Sequence, residues 1–570
     1  MKRMLSFFRG YRVQTVLAPL FKLFEAILEL FVPLLVADII DKGIGSGNAE
    51  YVWTRSVLLV ALALVGLGFS LTAQYFAARS AVGYSASMKR ALYRHVQSLS
   101  YCDLDRLGTS SLLTRMNADA TQVQNGINML LRLFLRSPFI VFGALVMAFV
   151  VDPGSAWLFA VVIPLLALVV VGVTVGCLPL YRKNQEKLDR LTEVLRENLT
   201  GVRVIRAYAC EDGEEQSFQR AHGGLTRAQT VAGRVAALLN PLTFALVNVG
   251  IIALIWRGGM RVDSGSLTQG GVIALYNYMS QILVELVKLA NLIILLTKSM
   301  ASYRRIGEVF EAEPTQHFRR SEVQADPAAP AVSFDNVSLR YTPTADDALE
   351  KVSMQVWQGQ TVGIIGSTGS GKSTLVNLIP RFYDATEGQV CIQGVPIADY
   401  PKEQLRRTVH VVEQKAVLFR GTIRDNLLWG NPTATDEELL RAASLAQATD
   451  VLKAKGGLDG LVEEGGRNLS GGQRQRLTIA RALVGDPSIL ILDDSASALD
   501  NATDRALRQA LRTLPCTTFI VSQRTSAVQG ADCILVLEDG QVVGQGDHDS
   551  LVADCEVYRE IHAAQQGGAL

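Results

Sequence analysis

The hydrophobic pattern changes character once along the chain. Up to about residue 300 apolar positions form long, almost unbroken blocks, whereas beyond about residue 330 they form short runs separated by polar and glycine-rich stretches. A helix needs about 20 mostly apolar residues to cross a hydrocarbon layer of roughly 30 Å. Six blocks reach that length, at Val13–Ile40, Val57–Ala78, Leu133–Val151, Ala156–Cys177, Val235–Trp256 and Gly271–Thr297. The pattern therefore predicts six membrane spans.

Lysine and arginine near membrane ends stay on the cytosolic side. The segment after the second span carries Arg79, Lys89, Arg90, Arg94, Arg106 and Arg115, and that after the fourth carries Arg182, Lys183, Lys187, Arg190, Arg196, Arg203 and Arg206. Both segments, and with them both termini, are expected in the cytosol. Their apolar spacing is helical and breakers are few, so the spans are expected to run on as helices; twenty extra residues reach about 30 Å further. The turns fall near residues 102–107 and 208–213. The basic start, with Leu5, Phe7 and Phe8 beside Lys2, Arg3 and Arg9, suits a helix lying on the membrane surface.

The proline-, alanine- and charge-rich stretch 311–331 reads as a linker between a membrane domain at 1–310 and a second domain at 332–570. In the second domain short β-like runs alternate with helical segments, the pattern of an α/β fold with a buried sheet. The net charge of +1, from 55 basic and 54 acidic residues, gives no electrostatic case for a nucleic-acid partner. Seven scattered cysteines without a CxxC pair argue against a disulfide framework or a zinc site.

The candidate chemistry lies in the second domain. "GSTGSGKST", comprising Gly366, Ser367, Thr368, Gly369, Ser370, Gly371, Lys372, Ser373 and Thr374, follows an apolar strand and opens a helix, the context a phosphate-binding loop requires. Glycines let backbone N–H groups converge on phosphate, and the helix N-terminus adds partial positive charge. Lys372 is placed to reach the outer phosphates of a nucleotide, and Ser373 and Asp493, at the end of "SILIL", to hold magnesium. "LSGGQ", with Ser470, Gly471, Gly472 and Gln473, precedes another helix and offers a second anion-binding arrangement.

On these motifs the chain resembles a half-transporter of the ATP-binding cassette (ABC) exporter family: an α-helical polytopic membrane domain of six long helices followed by an α/β P-loop nucleotide-binding domain. "LSGGQ" between a phosphate loop and a strand ending in aspartate is much more specific than the loop alone. The resemblance implies ATP and Mg²⁺ as ligands, Tyr341 stacked on adenine, Gln414 as a lid glutamine at the metal, and Asp500 in a loop facing a dimer partner. It also implies that Glu463 and Glu464 contact cytosolic helix tips. Taken singly, Tyr341 could pack on the sheet and Gln414 could be a surface side chain. Within the sixth span, where ionisable groups are costly and usually functional, Asn277, Gln281, Glu285 and Lys288 are cargo-site candidates; Glu285 and Lys288 could equally pair with each other at i,i+3.

Two positions depart from the family pattern. A glutamate that orients the attacking water is replaced by Asp494, and a histidine that contacts the γ-phosphate by Gln523. Shortening the carboxylate by one methylene withdraws it by roughly an ångström, a displacement that can cost on the order of a hundredfold in rate. The nucleotide-holding residues are intact while the two that help cleave ATP are altered. The resemblance then implies one subunit of a heterodimeric, ATP-driven exporter of the bacterial cytoplasmic (inner) membrane, a transport ATPase whose own site hydrolyses weakly. Its partner is expected to be a second half-transporter with the glutamate and histidine in place, and its cargo an amphipathic drug or lipid. The rival readings are a homodimer with two slow sites and a nucleotide-gated regulatory or channel-like membrane protein.

Overall fold

The computed structural model describes residues 6–319, 321–342, 344–495 and 497–566. The chain divides into two compact units, one of Met1–Gln97 with Thr109–Ala312 and one of Ser98–Gly108 with Glu313–Leu570.

The first unit is helical. Ala49–Ser98 runs for 50 residues and Pro153–Ala207 for 55, so at 1.5 Å per residue they are about 75 and 83 Å long, well beyond a hydrocarbon layer of roughly 30 Å. Among the described residues, five helical stretches are long and apolar enough to cross a membrane: Ala49–Ser98, Thr109–Val151, Pro153–Ala207, Glu211–Asp263 and Gln269–Glu311. Six spans were expected. Arg12–Asp38 has the length, at 27 residues, but Lys22, Glu25 and Glu29 interrupt its apolar run. The most apolar windows are at most 33% buried within the chain, and so much exposed apolar surface calls for lipid or a partner.

Small residues line the helix interfaces of this unit, with Ala26, Ala144, Ala148, Ala156 and Ala274 buried among Phe159, Tyr278 and Ile282. Without a hydrophobic drive between helices in lipid, such residues let backbones approach closely. The Tyr278 hydroxyl donates to the Leu30 carbonyl at 2.6 Å.

The interrupting charges of the first helix belong to a network with partners distant in sequence. Arg136 donates to Glu285 Oε1 at 2.6 Å and to Glu29 Oε2 at 2.6 Å; Ser137 donates to Glu285 Oε2 at 2.7 Å; Lys288 donates to Glu285 Oε1 at 2.8 Å. Lys22 pairs with Glu25. Glu285 is thus satisfied on both oxygens and buried, and the i,i+3 pair read from sequence is one edge of a three-helix junction.

The second unit is built on a six-stranded sheet in the order Gln541–Gly546, Cys533–Glu538, Thr361–Gly366, Thr517–Val521, Ile489–Asp493, Val409–Val412. All pairs are parallel except the outermost, between Gln541–Gly546 and Cys533–Glu538. Parallel strands covered on both faces read as continuous apolar runs, and Ile489–Asp493 is buried at every position. An antiparallel sheet of Leu349–Val356, Val332–Leu339, Glu387–Ile392 and Val395–Pro396 packs nearby through Val332, Phe334, Val337 and Val390.

The short helix Tyr101–Leu107 belongs to this unit, although the helices on either side of it in sequence belong to the other. Ser100 and Asp103 form a reciprocal cap, and Asp103 also accepts from the Thr315 backbone N–H at 3.1 Å. Burial alone would raise the Asp103 carboxyl, but bonds from Ser100 and Thr315 outweigh it and hold it below the usual carboxylate range. The Tyr101 ring stacks on Phe382 at 4.5 Å, and the Tyr383 hydroxyl donates to Asp105 at 2.7 Å.

Removing one partner of a buried charge pair strands the other. Glu285→Ala is expected to destabilise the detergent-solubilised protein by about 3 kcal/mol, seen as a lower melting temperature, and Glu285→Met combined with Arg136→Met to recover most of the loss.

Candidate nucleotide site

The register of the parallel strands decides which side chains meet. Val521 lies opposite Asp493 on one side and opposite Ile364 on the other, so two strands end together and the third, Thr361–Gly366, ends just beyond them. The loops that follow, Gly366–Gly371, Asp493–Asp494 and Ser522–Gln523, emerge at the same sheet end, where open α/β sheets bind ligands. They line a cleft of about 360 Å³ with Tyr341, Thr374 and Gln414.

The loop after Thr361–Gly366 needs its glycines. Gly369 and Gly371 have φ of +89° and +94°, and a Cβ on Gly371 would lie 2.6 Å from the Ala348 carbonyl oxygen. This bend delivers Lys372 as the first residue of helix Lys372–Leu378. Lys372 Nζ is buried and donates to the carbonyls of Gly366, at 3.0 Å, and Ser367. Burial pushes its ammonium down from the usual lysine value, and Asp493 and Asp494 oppose that shift. Ser367, Thr368 and Ser370 complete the loop, Ser370 buried within it.

Ser373 Oγ donates to Asp493 Oδ1 at 3.0 Å. Burial pushes the Asp493 carboxyl up from its usual value, the Ser373 bond opposes this, and the neighbouring Asp494 charge adds to it. A cation there relieves the cost of an ionised Asp493. No group of three or more His, Cys, Asp or Glu side chains forms a metal cage among the described residues. One carboxylate plus a hydroxyl, with the rest of the shell left to phosphate and water, is the set that Mg²⁺ takes in nucleotide sites. The residues present therefore fit a magnesium nucleotide.

Asp494 stands in the left-handed region with φ of +43°, which aspartate tolerates better than most residues. Its backbone N–H donates to the Val521 carbonyl at 3.0 Å, and its Oδ2 accepts from Gln414 Nε2 at 3.1 Å. Gln523 follows Thr517–Val521 and is exposed at the cleft. Tyr341 is 42% exposed; its hydroxyl donates to Thr374 Oγ1 at 3.0 Å and its ring meets Tyr383 edge-on at 5.1 Å.

Ser470, Gly471, Gly472, Gln473 and Asp500 do not line this cleft. Each also has local work. Ser470 caps helix Gly471–Val484 in a reciprocal box with Gln473, and Asp500 caps helix Asn501–Leu511 by accepting from Ala502 and Thr503. Gly472 lies where a Cβ would sit 3.0 Å from the Ala498 carbonyl oxygen, so the "LSGGQ" turn and the Asp500 loop abut each other.

In the helical unit, Asn277 is half-buried and Gln281 carries a buried Oε1 without a hydrogen-bond partner among the described residues. Glu285 is enclosed, and the Lys288 side chain is 42% exposed, beside Phe244 and Thr243 in a shallow, mostly apolar pocket. Sequence reasoning missed Arg136, Glu25 and Glu29; charges within the first predicted span and at the edge of the third were the available signal.

Two family models match the chain, "ABC transporter transmembrane region" over residues 15–286 and "ABC transporter" over residues 349–497. The chain is 36% identical to the uncharacterized ABC transporter ATP-binding protein YfiB of Bacillus subtilis, covering 100% of the chain and 99% of that protein. It is 29% identical to the ATP-dependent lipid A-core flippase of Syntrophus aciditrophicus, over 99% of the chain and 94% of that protein. Its fold is similar to that of a bacterial Atm1-family ABC exporter solved with ATP bound, with a TM-score of 0.81, 24% identity and 99% of each chain covered.

Gly371→Ala is expected to weaken ATP binding at least about tenfold in equilibrium dialysis, since the added Cβ strains the loop and displaces it. Ser373→Ala should leave ATP binding in EDTA nearly unchanged and remove most of the gain that added Mg²⁺ brings.

Proposed function

The chain belongs to the ABC transporter family, and we propose that it is the subunit of a heterodimeric exporter that supplies a nucleotide-holding ATP site and an intact "LSGGQ" turn for its partner's hydrolytic site. The observation that carries this reading is selective alteration within one cleft. Lys372, Ser373 and Asp493 are equipped to bind Mg·ATP, while Asp494 and Gln523, facing the same cleft, stand where the family has glutamate and histidine. The displacement of "LSGGQ" and Asp500 from the cleft fits a site completed by a second chain.

In this reading the loop N–H groups and Lys372 hold the phosphates, Tyr341 lies against the base, and Ser373, Asp493 and Gln414 hold magnesium. Bound magnesium neutralises charge on the phosphate oxygens. The Asp494 carboxylate, one methylene short and bonded to Gln414 at 3.1 Å, is poorly placed to orient water. Closure on the partner's "LSGGQ" then holds ATP rather than splitting it.

Helix Tyr101–Leu107 is the candidate route from nucleotide to membrane. It packs in the nucleotide unit through Tyr101–Phe382 and Tyr383–Asp105, and the chain before and after it belongs to the helical unit. All six helices, including the charged Arg12–Asp38, cross the bilayer in this reading, with both termini cytosolic in a bacterial inner membrane. The charges of Arg12–Asp38 are then tolerated because Arg136 takes up Glu25 and Glu29 and Ser70 takes up Lys22, away from lipid. The cargo is an amphipathic lipid or drug, in keeping with the relative named as a flippase; Asn277, Gln281 and Lys288 are its candidate contacts, and Glu285 holds the helices.

The chain purified alone is expected to show ATP turnover at least about tenfold below that of the complex with its partner. Asp494→Glu in the complex should raise turnover; brisk turnover by the chain alone, abolished by Lys372→Ala, would instead establish a homodimer.

A further inference from the structure

The segment that presents Gln523 is held from outside the cleft. Its outer support is helix Glu556–Gln566, seated through the fully buried Tyr558 against Ala527, Val528, Ile534 and Val536. From the end of that helix the Gln565 carboxamide reaches two residues of the segment at once. Its Oε1 accepts from the Thr525 backbone N–H at 2.8 Å and from Thr525 Oγ1 at 3.1 Å, and its Nε2 donates to the Gln523 carbonyl at 2.6 Å. One turn earlier, His562 Nδ1 lies 3.2 Å from Thr525 Oγ1. On the opposite side, Arg508 and Arg512 donate to the carbonyls of Ser526 and Gly530.

A carboxamide accepting two bonds and donating one has used three of its four positions, all of them on a stretch of three residues. A glutamine side chain is long and loses much rotamer freedom when it is fixed. Holding the backbone on which it stands reduces the number of positions its amide can sample. We propose that Gln565 is a positioning residue for Gln523, clamping the backbone from which the Gln523 amide meets the terminal phosphate of ATP. The proposal rests on the reading that Gln523 contacts that phosphate. It makes the C-terminal helix a determinant of how long this site holds ATP.

The test uses the full-length chain in lipid nanodiscs with its co-purified partner. Radiolabelled Mg·ATP is bound, an excess of unlabelled ATP is added, and the residence time of the label is measured alongside the melting temperature. Gln565→Ala, which removes all three bonds including the one to the Gln523 carbonyl, is expected to shorten residence by about fivefold, roughly the net worth of one hydrogen bond, with an unchanged melting temperature. Gln565→Glu keeps the acceptor for Thr525 and loses the donor to Gln523; it should shorten residence as much, and it carries the test if Gln565→Ala folds poorly. Gln523→Ala should match both, and the double variant Gln523→Ala/Gln565→Ala should be no worse than either single one, because both act at one point. If Gln523→Ala leaves residence unchanged, the phosphate contact itself is wrong and the clamp falls with it. If Gln523→Ala shortens residence while both Gln565 variants match the unaltered chain, or if the double variant is additive, the clamp is wrong and the phosphate contact stands.

Discussion

The candidate nucleotide site depends on one register. Parallel pairing sets Asp493 beside Val521 and Val521 beside Ile364, so the glycine-rich loop, Asp493 and the Gln523 segment leave the sheet at the same end. A slip by one residue would turn every side chain of a strand to the opposite face, separating Asp493 from Ser373. The buried apolar runs of Ile489–Asp493 and Thr361–Gly366 pin that register, and the chemistry of the cleft follows from where the strands stop.

The helical unit answers to a different constraint. Its first helix carries charges that lipid would reject, and Arg136 gathers Glu29 and the buried Glu285 into one junction with Ser137 and Lys288 alongside. Neutralising these groups against one another lets a charged helix pack among apolar ones, and it ties three helices distant in sequence at one point. Such a junction is costly to break one partner at a time.

Much of this was legible in the sequence. The phosphate loop, "LSGGQ" and the strand before Asp493 were read as local strings because their chemistry is local: a turn needs glycine, a buried parallel strand needs an apolar run, and a helix start needs a cap. The structure then brings Lys372, Ser373, Asp493, Asp494, Gln414, Tyr341 and Gln523 to one cleft. What the sequence could not display were contacts spanning long separations. Arg136 lies 149 residues from Glu285, and Gln565 lies 42 from Gln523; neither leaves a periodic trace. The first span was expected from its length, and its charges, which look like a defect in isolation, make sense only once Arg136 is opposite them. Ser470 and Gln473, read as an anion-binding turn, and Asp500, read as facing a partner, also cap their own helices, so residue type alone could not separate the two roles.

The central claim is that Asp494 and Gln523 leave a site that keeps ATP whole while a partner's site turns over. It is tested most directly by the state of the nucleotide this chain holds. Photoreactive ATP labelled on the γ-phosphate, and separately on the α-phosphate, is cross-linked to the full complex during steady turnover, and the label on each chain is counted. The account predicts that this chain retains both labels equally while the partner retains mainly the α-label; loss of the γ-label from this chain at the partner's rate would contradict it.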